Sequence, residues 1–416
     1  MKLKKVLAIA MATVMTAAML VGCGSKGGSN EGTKSAEVQD VALKVWVPEE
    51  EVEITKKMCD DFAKAHPEYK CTFDVSIVGI DESVNLLTTD PDLAADVMIV
   101  PSGSLSQVVE AGLILPIAYD IDNVKKLYGE GALEACTRDG KLYAVPSSPN
   151  SFFMYYNKKL FDENDVKSLE SMMAKDLGDG ISNFSCTISN SWYIESFFYA
   201  AGCTLFGADG TDPTNCTWND ANGLKAGKYV LDLAKNPKYV EDLDGIAGAL
   251  FKDGKLGALC SGTWSYPELH DALGDDLGAC ALPTIILDGM KVQLSNFADY
   301  KCHVVKASTK APLAAQQLCE WFDNEANQLT RYTECSETPT CLSLQDNEEI
   351  AKNVAAAALI AQTEFATPQP SISQIGQYWD PVKAFGDAVI NGDVTEANLQ
   401  SMLDSLVDSV TSKLVE

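Results

Sequence analysis

The sequence predicts an α/β protein whose mostly parallel sheet is flanked by helices. Three observations point there. Short β-rich apolar runs alternate with helical ones, no tandem repeat interrupts that alternation, and residues 40 to 416 are enough for two ordinary domains with full cores. With 46% hydrophobic and 22% charged residues, the chain has the composition of a globular protein able to fill such cores.

Leu43-Lys44-Val45-Trp46-Val47 reads as the first strand. Glu51 to Ala65 follows as an amphipathic helix with Val52, Met58, Phe62 and Ala63 among its apolar residues, and Lys70 to Val75 as the next strand. Asp96-Val97-Met98-Ile99-Val100 is a near-continuous apolar strand closed by Pro101-Ser102-Gly103-Ser104, after which Leu105 to Ala111 turns helical. This β-α-β-α order implies parallel pairing. Ligands of open parallel sheets gather outside the carboxyl ends of the strands, so the residues after Trp46 and after Val100 are placed at a candidate site. Further on, Asp139-Gly140 marks a turn and Lys141 to Pro146 a strand. Pro149 with its serines interrupts the chain before Phe152 to Asn157. The stretch from Val382 to Leu414 reads as helical, divided by Asn391-Gly392-Asp393.

The amino terminus carries a different signal. Lys2, Lys4 and Lys5 precede an apolar run from Val6 to Val21 that is short for a membrane span, and Leu20-Val21-Gly22-Cys23 follows the bacterial lipobox pattern. Residues 1–22 are therefore expected to be a lipoprotein signal peptide and Cys23 the lipidated residue; an ordinary signal in which Cys23 is incidental is the plainer alternative. Residues 24 to 37, GSKGGSNEGTKSAE, contain no large apolar side chain, and 23–40 is expected to be a flexible tether. The expected location is the extracytoplasmic face of a bacterial cell membrane, with the body held there by lipid.

Charge and cysteine content narrow the partners. Removal of the signal takes the formal charge from −27 to −30, which disfavours nucleic acid and anionic membrane surfaces. Arg138 and Arg331 are the only arginines, so bidentate recognition of a carboxylate or phosphate has little to draw on. Thirteen cysteines leave twelve besides Cys23. Disulfides, with Cys203/Cys216, Cys335/Cys341 and Cys59/Cys71 as nearest-neighbour pairs, and buried free thiols both stay open. No CxxC spacing occurs and only His66, His270 and His303 offer imidazoles, so no metal or other cofactor is expected. His303, between Cys302 and Val304, reads as part of a buried strand, and its neighbour Cys302 points to the opposite face. No G-x-S-x-G, H-E-x-x-H, P-loop or dinucleotide fingerprint is present, and no enzyme activity is expected.

The order WVPEEEVEI, DPDLAADVMIV, EAGLILPI, DGKLYAVPSSPNSFFMYYNKKLF, FKDGKLGALCSGTWSY, ALPT and ISQIGQYW resembles the extracellular solute-binding proteins of ABC importers, and among them the maltose/maltodextrin-binding branch, over essentially all of residues 40 to 410. That resemblance implies a two-lobed, periplasmic-binding-protein-like fold of type II. Each lobe would hold a mostly parallel sheet flanked by helices, with a hinge between lobes. Crossings are implied near 148–152, 297–301 and 336–341. The N-terminal lobe is then 41–148 plus 301–336, and the C-terminal lobe 152–297 plus 341–416. It also implies a monomer that binds a neutral oligosaccharide, maltose or maltodextrin first, and hands it to permease subunits whose ATPase lies on separate chains.

A pyranose presents apolar C–H faces and a rim of hydroxyls, so its site needs flat aromatic surfaces and a few polar groups. By the resemblance, Trp192, Tyr193, Trp264, Tyr266 and Trp379 are the stacking candidates, although an aromatic residue more often fills a core. Glu50 follows the first strand where relatives carry a charged sugar ligand; the acidic run Glu49-Glu50-Glu51 also suits a helix start. Two departures stand out. Ser102, within Pro101-Ser102-Gly103-Ser104, replaces an acidic–basic pair, and Asn150 replaces a glutamate before the Tyr-Asn-Lys motif. Losing charge-assisted hydrogen bonds of about 1.5–3 kcal/mol each allows a non-maltodextrin ligand. A membrane-anchored glycoside hydrolase, which needs two carboxylates across a bond, is the more distant alternative.

Overall fold

The computed structural model describes residues 38–344 and 347–413; the expected signal peptide, Cys23 and nearly all of the tether lie outside them. The body consists of two α/β lobes built around separate sheets.

In the first sheet the strand Gln39–Val47 lies between Tyr69–Ile77 and Val97–Pro101 and is parallel to both. Its alternate residues Val41, Leu43, Val45 and Val47 are buried, as a strand with one face on the core requires. Val97–Pro101 is buried at every position, as befits a central strand covered on both faces. The helix Val52–Ala65 buries Val52, Ile54, Met58 and Phe62 at helical spacing and stops at His66, just before Pro67. Three more strands complete the six-stranded sheet: Phe297–Val305 pairs antiparallel with Val97–Pro101 on one edge and with Ala144–Asn150 on the other, and its start pairs parallel with the short strand Thr367–Pro368.

The second sheet runs in the order Leu277–Cys280, Phe153–Asn157, Leu256–Ser261, Ser182–Ser185. Only Ser182–Ser185 and Leu256–Ser261 are parallel, so this sheet is mixed where a mostly parallel one is expected. The reason is its central strand, Phe153–Asn157, which enters directly from the other lobe without a crossover helix. Strand alternation divides its aromatic residues between two cores: Phe152, Met154 and Tyr156 face one, Phe153 and Tyr155 the other.

Three stretches pass between the lobes. The first joins Ala144–Asn150 to Phe153–Asn157. The second lies within Phe297–Val305, whose Phe297 packs in the second lobe and whose Cys302 packs in the first. In the third, Cys341, Leu344 and Ile350 still belong to the first core, and Ala355, Ala358 and Leu359 to the second lobe. This change of core comes later than the expected 336–341. The Gln328 carboxamide holds the Thr340 and Cys341 amides, and Cys341 bridges to Tyr128, which keeps the segment on the first lobe.

The twelve described cysteines are all free, so of the two alternatives the structure shows free thiols, and none of the three candidate pairs is bonded. Cys335 points to the Glu50 carbonyl and Cys341 toward the Asp323 carbonyl, which separates that pair. Burial pushes Cys59, Cys203 and Cys216 up to about 12, and these thiols act as small apolar side chains. The helices Trp379–Ile390 and Leu399–Val410 close the chain on the second lobe, divided at Asn391-Gly392-Asp393.

Candidate functional site

Between the lobes lies a cleft with a cavity of about 300 Å³, lined by Pro48, Glu50, Ile80 and Pro101 from the first lobe. Asn150 and Lys301 line it from the crossings, Gln369 from the segment after Thr367–Pro368 that pairs alongside the second crossing, and Asn190, Trp192, Tyr193, Trp264 and Trp379 from the second lobe. A second cavity, of about 490 Å³, opens on the second lobe alone beside Glu163, Lys167 and Lys291. It is roomier but has only Tyr156 as an aromatic lining residue and touches one lobe, so the interlobe cleft is the candidate site.

The lining residues sit where the strands and turns place them. Glu50 is in the turn Glu49–Glu51, just past the carboxyl end of Gln39–Val47, and Trp264 is in the turn Thr263–Ser265 just past Leu256–Ser261. Trp192 begins a helix whose cap, Asn190, accepts a hydrogen bond from the Trp192 amide at 2.8 Å. Trp379 begins the helix Trp379–Ile390. The Trp192 and Trp379 rings lie 6.4 Å apart at 31°, both backed by Phe297. Trp264 lies back over Gly262, where an added Cβ would come within 2.0 Å of the indole, so the ring's position depends on a glycine there. These three rings are half-buried and all face the cavity.

The rest of the lining sets apolar Pro48, Ile80 and Pro101 among polar Glu50, Asn150, Lys301 and Gln369, with a buried polar network directly behind them. Asp299, on the second crossing, is buried and accepts hydrogen bonds from Ser102 Oγ at 2.5 Å, the Gly103 amide at 2.9 Å and Asn150 Nδ2 at 2.9 Å. Burial raises the Asp299 pKa, and these hydrogen bonds only partly oppose it. Lys301 Nζ donates to Glu337 at 2.6 Å and stands 5.9 Å from the centre of the Trp264 ring. Burial alone would lower the Lys301 pKa, but Glu337, Glu51 and Glu50 outweigh it and the net direction is up. Ser148 also donates to Glu337, which ties that carboxylate to the first crossing.

Behind this lining is a buried ionic network. Arg331 Nε lies 3.0 Å from Glu51 and its Nη1 3.2 Å from Asp323, while Asp323 meets His303 Nδ1 at 2.6 Å. Glu50 and Glu51 therefore separate: the first is exposed to the cleft and the second is buried against Arg331. Arg138, the other arginine, holds the Ser102 and Ala135 carbonyls and Ser106 Oγ. Both guanidinium groups serve the fold.

Of the residues expected from sequence, the structure brings Glu50, Asn150, Trp192, Tyr193, Trp264 and Trp379 together around the cleft. Ser102 and Tyr266 fall outside the lining. The Ser102 hydroxyl is turned inward to Asp299, and Tyr266 packs at the edge of the second lobe's far core beside His270. Sequence reasoning did not find Asn190, Lys301 or Gln369. The only local signal was Asn190, whose place before Ser-Trp suits a helix cap.

Fold and cleft together define a two-lobed solute-binding protein. The chain belongs to the bacterial extracellular solute-binding protein family, whose profile matches residues 57–358. It is similar to the galactooligosaccharide-binding protein of Bacillus subtilis, 27% identical over 100% of this chain and 98% of that protein. It is also similar to the maltooligosaccharide ABC transporter solute-binding lipoprotein of Streptococcus pneumoniae R6, 25% identical over 92% of this chain and 91% of that one. A solved structure described as being with acarbose is 32% identical and superimposes with a TM-score of 0.84, covering 89% of this chain and 99% of its own. The two curated relatives are named as oligosaccharide-binding proteins, the second as the solute-binding part of an ABC transporter.

Proposed function

We propose that this protein captures a neutral oligosaccharide in the interlobe cleft and delivers it to an ABC permease, with maltooligosaccharides as its first ligand class. The observation that carries this reading is the wall of Trp192, Trp264 and Trp379 facing a cavity whose one lining cation, Lys301, is held by Glu337. Aromatic faces match the C–H faces of a pyranose, and the absence of an unengaged cation among the described lining residues disfavours an anionic ligand. Trp264 and Trp379 would stack on the sugar from the second lobe, and closure of the lobes would then bring Glu50 and Asn150 onto its hydroxyls. Glu50 is the one carboxylate among the lining residues, where glycoside hydrolysis uses two.

Galactooligosaccharide is the second reading. It is favoured by the full-length likeness to the Bacillus protein and by Asn150 standing where the maltodextrin branch carries a glutamate. In the same reading the chain acts as a monomer, anchored by lipid at Cys23 to the extracytoplasmic face of the membrane.

A thermal-shift series with maltose, longer maltodextrins, galactooligosaccharides, amino acids and polyamines separates these readings. A melting temperature that climbs with maltodextrin concentration while the sugar stays intact supports the first. A climb with galactooligosaccharide alone supports the second, and a response only to amino acids or polyamines refutes both. Cys23→Ser should release the protein from membranes; retention would refute the lipid anchor.

A further inference from the structure

We propose that Gln369 is a specificity-determining residue whose carboxamide reads a pair of adjacent hydroxyls on the bound sugar. This rests on the oligosaccharide reading above and names the group that replaces the charged residues missing from the polar lining.

Gln369 lines the cleft yet is only 7% exposed, and neither its Nε2 nor its Oε1 has a protein hydrogen-bond partner among the described residues. The other buried glutamines differ. Gln328 bonds Thr340 and Cys341, Gln362 bonds Asn296 and the Leu282 amide, and Gln374 bonds the Val410 and Ser412 carbonyls. A buried amide left open at both ends is disfavoured unless something else completes it.

The chain holds this amide in place deliberately. The Gln369 backbone amide donates to the Ala298 carbonyl at 3.1 Å, extending the short parallel pairing of Thr367–Pro368 with Phe297–Ala298. The side chain then crosses to the first lobe and lies over Gly103, where an added Cβ would stand 1.9 Å from Nε2. Gly103 gives the carboxamide its room, and its own amide is engaged by Asp299. Asn150, bonded to the same Asp299, borders the same cavity.

A carboxamide donates from nitrogen and accepts at oxygen. Each sugar hydroxyl also donates and accepts, so two adjacent hydroxyls complement both ends of one amide without a charge on either side. A site that must hydrogen-bond a hydroxyl discriminates strongly against an analogue that lacks it.

The test compares the full protein with Gln369→Met, which keeps the length and removes the polar ends, and with Gln369→Glu, which keeps acceptors and loses the donor. Calorimetric titration with maltotetraose and with a galactooligosaccharide is paired with the melting temperature of each protein without ligand. Weakening of at least about tenfold in Gln369→Met, with an equal or higher ligand-free melting temperature, supports the proposal, because a residue that served only the fold would lower both. Gln369→Glu should also weaken binding, which keeps the test open if the methionine variant folds poorly. Wild-type affinity in either variant overturns the role of Gln369 and leaves the oligosaccharide reading standing. Failure of the wild-type protein to bind either sugar overturns both.

Discussion

The two walls of the cleft are built by different physics. On the second lobe, Trp192 and Trp379 are half-buried rings packed on each other and on Phe297, Trp264 lies over Gly262, and the three present surface without charge. On the first lobe and the crossings, carboxylates, a lysine and amides are buried and paired, and they restrict one another's geometry. An apolar wall tolerates ligands of varied linkage, whereas a paired polar wall fixes which hydroxyls are accepted. On the proposed function, affinity would come mainly from the second lobe and specificity mainly from the polar groups around the crossings.

The largest effect should come from the network behind the polar lining. Arg331→Met leaves Glu51 and Asp323 buried without their cation, and the protein should lose about 3–5 kcal/mol, read as a lower urea midpoint. An unchanged midpoint would show that the polar lining does not depend on this network. Next in size, Trp264→Ala or Trp379→Ala should weaken sugar binding by about 2 kcal/mol, near thirtyfold, with little change in the ligand-free melting temperature. Equal losses of affinity and stability would instead make these rings core. A smaller loss, about tenfold, is expected from Gly262→Ala, which touches no ligand but pushes the Trp264 ring out of place. Wild-type affinity in that variant would show that the ring is free to adjust.

The smallest effect concerns Glu195, buried behind the aromatic wall with one oxygen accepting from the Phe297 amide at 3.3 Å and the other without a partner among the described residues. Burial holds its pKa well above the ordinary 4.5. A raised folded value favours the protonated form, so the stability it contributes is present below pH 4.5 and is lost as pH rises toward the folded value. Glu195→Gln cannot ionise, and its melting temperature should gain on wild type steadily as pH is raised from 4 to 8. A difference that is constant with pH would contradict the buried, neutral carboxyl.

The aromatic wall was legible in the sequence through the family resemblance of the segments that carry Trp192, Trp264 and Trp379, and the turn after the strand Leu256–Ser261 places Trp264 at a strand end. The first sheet was legible because Val45 and Val97 sit in apolar runs whose order dictates parallel pairing. Of the polar lining, Glu50 and Asn150 were legible and the rest was not. Asp299 is one of fifty-nine acidic residues, and nothing near it in the chain announces that Ser102 and Asn150 will converge on it. Gln369 shows its meaning only when its unpaired ends are compared with those of Gln328, Gln362 and Gln374. The mixed second sheet was hidden too, because its central strand enters from the other lobe, a fact of tertiary routing rather than of local pattern.

The most direct test of the central claim is a calorimetric titration of the wild-type protein and the Trp264→Ala/Trp379→Ala double variant with maltotetraose, with each protein's ligand-free melting temperature as the control. Saturable binding by the wild type, lost in a double variant that still melts cooperatively near the wild-type temperature, is the result this account predicts. Equal binding by both proteins would show that the aromatic wall does not capture the sugar, and would contradict it.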